Sequence, residues 1–150
     1  MGAWDYGPFD NDGAWDCVGA LTDDPDANTE RLEAAMLEVL VVLDYIENPE
    51  AQAAVAAAVL TAIRLGAPSP TDRITDLLAA HPFNPEPLHD LARRTLLRIT
   101  ANPRDNEWHD LWEESGALEK VVALLAPYKA VLDVPQSEAR PSQDADQSEE

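Results

Sequence analysis

The chain is poor in the residues that most chemistry needs. Its 150 residues contain one cysteine, Cys17, and three histidines, His81, His89 and His109. A lone cysteine excludes an internal disulfide and suits a reducing compartment, so a cytoplasmic location is expected. Acidic residues flank Cys17 and oppose thiolate formation, which argues against a nucleophile. No two histidines stand four residues apart, and no His-Glu-x-x-His string occurs. Glycine-rich phosphate loops are missing as well. The longest apolar-leaning run, Ala53 to Leu60, is too short to span a bilayer. Met1-Gly2-Ala3 shows no basic leader region, so no signal peptide is expected, and Tyr6 stands where myristoylation needs Ser or Thr. Positive charge is scarce: 10 Lys and Arg face 29 Asp and Glu, for a net charge of −19. Such a chain repels nucleic acid and anionic lipid, so neither is expected as a partner.

The acidic excess is concentrated at the two ends. Residues 1–30 carry eight acids and no Lys or Arg, and residues 137–150 carry five acids against Arg140. The middle of the chain holds sixteen acids against nine bases. From Val134 onward the composition is Pro, Ser, Gln, Asp and Glu without an aromatic residue, which cannot offset the entropy of ordering. Two regions follow: a helical domain over 1–133 and a disordered acidic tail over 134–150.

The first sixteen residues, Met1 to Asp16, contain Trp4, Tyr6, Phe9 and Trp15. Aromatic side chains at this density predict a segment pinned to the body of the protein rather than a loose leader. Gly7 and Pro8 break any helix before Asp10 or Asn11, either of which can cap a short helix reaching about Leu21. Thr22 to Asp26 reads as an acidic turn around Pro25. Leu32, Ala35, Met36, Val39, Leu43 and Ile46 recur at helical spacing and predict a long helix over 28–46, central and buried on more than one side. Asn48 is expected to cap a third helix that has Pro49 at its first position and stops before Gly66. Its many alanines allow close approach to that central neighbour. A fourth helix opens at Ser69-Pro70 and ends near Ala80. Three prolines make 81–87 a rigid connector, and a fifth helix covers about 87–101. Its outer row of Glu86, Asp90, Arg94 and Arg98 places acids first and bases last, as pairing and the helix dipole favour. The last helical region, 106–132, carries Trp108, Leu111 and Trp112, with a break at Gly116 and an irregularity at Pro127. The fold class is therefore all-α, a single domain of five to seven helices with an extended N-terminal segment packed on it.

Site residues are weighed against capping and packing. If Gly13 were position 6 of a calcium loop, positions 1 and 12 would be Pro8 and Gly19, which offer no side-chain ligand. Asp10 or Asn11 as a cap, with Asp12 and Asp16 favouring the positive helix end, accounts for that string. His109 and Glu113 share a helix face, but two ligands make no zinc site. Trp108 and Trp112, one turn apart, read as core. No catalytic residue, cofactor or metal ligand is assigned.

Two strings resemble a known family. Gly2-Ala3-Trp4 followed by Gly7-Pro8-Phe9-Asp10-Asn11-Asp12 is similar to the opening of the domain of unknown function 4259. Asn106 to Glu114, with Leu111-Trp112 followed by Glu113-Glu114, resembles that family's second block. The resemblance covers residues 1 to about 132. Asp5 departs from the glycine usual there, and Gly13 from a common acidic residue. It implies a small, mostly helical bacterial protein without an assigned activity.

Two function classes are expected. The first is a non-catalytic acidic module that neutralises a basic protein, as immunity proteins and nucleic-acid mimics do, with Asp5, Asp10, Asp12, Asp16, Glu113 and Glu114 as its surface. The alternative is a divalent-metal enzyme built on the N-terminal aspartates. The opening segment is also expected to close onto the end of the domain, with Trp4 and Phe9 against the helix bearing Trp108, Leu111 and Trp112. Finally, a chain truncated after Val134 should melt within a degree or two of the full-length protein, since a tail without apolar contacts adds little to the roughly 0.7 kcal/mol per residue of unfolding enthalpy. Differential scanning calorimetry of the two forms checks this, and a fall of several degrees would show that the tail packs.

Overall fold

The computed structural model describes residues 7–41, 45–101 and 106–134. Seven α-helices occur among them: α1 (Asp12–Gly19), α2 (Pro25–Leu40), α3 (Asn48–Arg64), α4 (Asp72–Ala80), α5 (His89–Ala101), α6 (Glu107–Glu114) and α7 (Leu118–Asp133). A single 3-10 turn, Glu86–Leu88, leads into α5. An isolated parallel bridge joins Ile46 to Asn106. The all-α expectation holds. Tail residues after Val134, and Trp4, Asp5 and Tyr6, lie outside the described residues.

The centre of the domain is α3, not α2. From Ala51 to Ala62, α3 is buried almost throughout, whereas α2 buries Asn28, Leu32, Met36 and Val39 on one face. Leu37 and Val41 point outward from that end of α2. The pattern misleads because the alanine-rich helix has the weaker hydrophobic contrast. Small side chains on every side are what let α1, α2, α5, α6 and α7 all reach α3.

Helix ends account for the other differences. α2 begins at Pro25 because the Asp24 carboxylate accepts from the Asp26 N–H, so the acidic turn ends one residue before Pro25 and the helix starts within the predicted 22–26 turn. It stops at Leu40 instead of continuing to 46. Asn48 is the first residue of α3 rather than its cap; Glu47 holds the cap position without a side-chain bond. α4 is capped by Thr71, whose hydroxyl accepts from the Ile74 N–H, two residues after the Ser69-Pro70 start that proline placement suggests. Two glycines finish helices as expected. Gly66 and Gly116 have φ of 123° and 79°, and the next residue, Ala67 or Ala117, donates back to Ala62 O or Trp112 O in each case. Only glycine takes that left-handed position at no steric cost. α7 passes through Pro127 without ending. On α5, Asp90 accepts from Arg93 and Arg94, whose guanidinium groups hold its carboxyl below the usual carboxylate range, Arg93 foremost.

Buried polar groups stitch the loops to the helices. Asn28 is fully buried; its amide donates to Thr22 O and Pro82 O, and its oxygen accepts from the Thr22 N–H. The α1–α2 turn and the proline-rich connector are thereby held against the same point.

At the opening segment, Asp10 N–H donates to Gly7 O and Gly7 N–H donates to the Asp10 carboxylate, which closes a turn around Pro8. Asn11 then caps α1 by accepting from the Ala14 N–H at 2.7 Å. Phe9 is buried. Gly7 and Pro8 line a narrow cavity with Trp108, Trp112 and Leu125, while Phe9 lines the neighbouring hollow with Trp15, Pro70 and Ile74. Gly7 and Pro8 thus border the Trp108–Trp112 helix, Phe9 borders the hollow beside Trp15, and the contact expected of Trp4 lies outside the described residues.

Gly13 is not a weakness of α1 but the condition for its packing. A Cβ there would stand 2.6 Å from Gln52 Cβ and 2.9 Å from Pro49 O, and the Gly13 N–H donates to Gln52 Oε1. The proline carbonyl belongs to backbone and cannot swing aside. Gly13→Ala, which would stabilise an isolated helix, should therefore destabilise this protein by about 1–3 kcal/mol. Urea unfolding followed by tryptophan fluorescence checks the sign.

Candidate functional site

Helix α6 is short, and its position is set from both ends. Asn106 is fully buried; its oxygen accepts from the His109 N–H as N-cap, and its amide donates to Ile99 O at the end of α5. The following N–H, of Glu107, donates to Ile46 O, while the Glu107 carboxylate accepts from the Asn48 N–H at 2.8 Å. Asn106 thus ties α5, and Glu107 the 46–48 segment and the start of α3, to the first turn of α6. At the far end the Gly116 turn stops the helix. Trp108 and Trp112 are buried as a pair.

With that face fixed, α6 offers two further edges. The first borders a groove of about 370 Å³ where α1, the start of α3 and α6 meet. Asp12, Asp16 and Glu107 line it over Pro49 and Leu111, with no Lys or Arg among its walls. The starts of α1, α3 and α6 converge there, and the positive ends of their helix dipoles soften the repulsion among the carboxylates.

The second edge carries His109, Asp110 and Glu113, whose ligand-type atoms all lie within 4.8 Å of one another. His109 is buried, 8% exposed, and its Nδ1 has no hydrogen-bond partner. Glu113 Oε1 stands 3.9 Å from that nitrogen, beyond hydrogen-bond distance. The Tyr45 hydroxyl donates to Asp110 Oδ2 at 3.1 Å. The other two histidines are occupied: His81 Nδ1 donates to Thr22 O and His89 Nε2 to Leu132 O.

The residues expected to form one acidic surface are divided. Asp12 and Asp16 face the groove, Glu113 belongs to the histidine edge, and Glu114 is exposed at the end of α6. Asp10 is turned toward Gly7 and borders the Phe9 hollow, where Arg73 lies over the Trp15 ring at 4.2 Å. Asp5 lies outside the described residues. Glu107 and Asp110 complete the two edges and were missing from the expected set. His109-Asp110-x-x-Glu113 spacing on a helix was a readable signal for Asp110; nothing in the sequence brings Glu107 to Asn48. Cys17 is half-buried, and burial pushes its thiol up to about 11, so it is a packing residue.

Fold and candidate site together define a small helical domain in which one short, capped helix borders an acidic groove. The family model described as "Domain of unknown function (DUF4259)" matches residues 2–123, and the chain belongs to that family. Neither a curated protein nor a solved structure matches it. No helix among the described residues is long and apolar enough to cross a membrane.

Asn106→Ala removes a cap and leaves Ile99 O without its buried donor, for an expected cost of about 2–4 kcal/mol. Because α6 carries both edges, hydrogen exchange of the 107–114 amides should accelerate more than that of α3. Equal acceleration in the two helices would show that α6 has no separate anchorage.

Proposed function

We propose that this protein is a non-catalytic interaction module that engages a basic protein, in the manner of an immunity protein or a nucleic-acid mimic. The observation that carries this reading is the groove of Asp12, Asp16 and Glu107, which has no cation in its walls and an apolar floor at Pro49 and Leu111. Carboxylates spread along a groove suit several separate ammonium or guanidinium groups, and the apolar floor suits the aliphatic stems that carry them. The net charge of −19 adds a long-range field that draws a basic partner in. An enzyme built on the N-terminal aspartates has less support. Among the described residues, Asp10, Asp12 and Asp16 do not belong to a convergent ligand set, and Asp10 spends an oxygen on the Gly7 N–H.

The test is association kinetics with any basic protein encoded beside its gene. Between about 50 and 500 mM salt the screening length shrinks roughly threefold, so the on-rate should fall by about tenfold or more. Asp12→Lys with Asp16→Lys should lower the on-rate at low salt and flatten its salt dependence, leaving the fold intact because both side chains are exposed. A tight complex whose on-rate ignores salt and these changes would overturn the reading.

A further inference from the structure

We propose that His109 Nδ1, Asp110 and Glu113 form a binding site for a divalent transition-metal ion of the zinc class. This goes beyond the groove and does not depend on it, since the three side chains leave α6 on another edge.

The first support is the histidine itself. His109 is more than nine-tenths buried, and its Nδ1 is out of contact with solvent and has no hydrogen-bond partner. A buried polar atom in that condition is costly, and an ion or water that satisfies it is the usual explanation. Burial leaves the imidazole little room to turn, and its Nδ1 stands 3.9 Å from Glu113 Oε1. Nδ1 is therefore held toward Glu113.

The second support is convergence. A ring nitrogen of His109 and one oxygen from each carboxylate lie within 4.8 Å of one another, and Nδ1 is the nitrogen that stands next to Glu113. Around a tetrahedral zinc with bonds of about 2.0–2.1 Å, neighbouring donors stand roughly 3.4 Å apart. The 3.9 Å between His109 Nδ1 and Glu113 Oε1 needs only a small rotation of the exposed glutamate to reach that spacing. Spacing of i and i+4 puts His109 and Glu113 on one helix face, as paired zinc ligands on helices require. Asp110, at i+1, reaches across the adjoining edge.

The third support is the shell around the ligands. Tyr45 donates to Asp110 Oδ2, which orients that carboxylate and leaves its other oxygen for an ion. One imidazole and two carboxylates suit zinc and its first-row neighbours better than magnesium or calcium, which take oxygen ligands. Three protein donors, with Glu113 exposed, leave a fourth position open to water or another donor.

The experiment titrates the full-length, tag-free protein with zinc chloride by calorimetry, and with cobalt chloride by visible absorption, in a buffer without chelators at neutral pH. One saturable equivalent is expected, with a cobalt spectrum showing nitrogen ligation and a higher melting temperature in zinc. Glu113→Gln and Asp110→Asn alter partly or fully exposed groups and should fold normally. Each should weaken zinc binding by about tenfold or more, at least as much as loss of an outer-shell partner does elsewhere. His109→Gln should abolish the cobalt spectrum. In nuclear magnetic resonance, the His109 Nδ1 signal should move on adding zinc while those of His81 and His89 stay. Absence of saturable binding, or binding that the Glu113 and Asp110 variants leave unchanged, would overturn the proposal and leave only a His109–Glu113 ion pair.

Discussion

Five neighbouring helices depend on one helix, α3, whose buried surface is made mostly of alanine. In α3, Ala51, Ala54, Ala56, Ala57, Ala58 and Ala62 are all fully buried. Alanine gives up no rotamer freedom when buried and keeps the helix surface flat, so neighbouring backbones come close from every direction. The tightest of these approaches is at Gly13, where α1 rests on Gln52 and Pro49 with no room for a methyl group. Most of the large side chains come from the surrounding helices, Leu32 and Met36 from α2, Leu96 and Ile99 from α5, Leu125 and Leu132 from α7, with Val59 and Leu60 from α3 itself. The core is thus a thin hub with bulky spokes, and the groove exists because α1 sits so low on α3.

Dependence on that hub extends to α6 through polar links rather than packing alone. Ile46 O, the Asn48 N–H, Asn106 and Glu107 form a continuous run of hydrogen bonds between the entry to α3 and the first turn of α6. An eight-residue helix has little stability in water by itself. Held by its cap, its glycine stop and two buried tryptophans, it becomes rigid enough to present different chemistry on different edges. Glu107 shows the dual use: one carboxylate oxygen secures the α3 N-terminus, while its charge faces the groove.

Charge in this protein is shaped by the same helix ends. Asp12 and Glu107 sit in the first turns of α1 and α6, where the dipole favours them. The bases are largely engaged elsewhere: Arg93 and Arg94 with Asp90, Arg64 over the Phe83 ring, Arg73 over Trp15. The acidic field around the groove therefore meets little compensation nearby, and stability of the helix starts and polarity of the surface come from the same residues.

Much of this was readable from residue order. Helical periodicity gave the all-α class, the Asp10-Asn11 pair narrowed the first cap to two residues, Gly66 and Gly116 marked helix stops, and the Trp108–Trp112 spacing a buried face, because each depends on contacts only a few residues apart. The resemblance carried by the two family-like strings, likewise local, led to the family that the chain belongs to. What residue order could not decide was which helix is central, since an alanine-rich sequence looks the same on a surface as in a crowded interior. Nor could it place Glu107 on the start of α3, pair Tyr45 with Asp110, or leave His109 Nδ1 buried without a partner. Those outcomes rest on segments about sixty residues apart meeting at one point, and only the close packing around α3 brings them there.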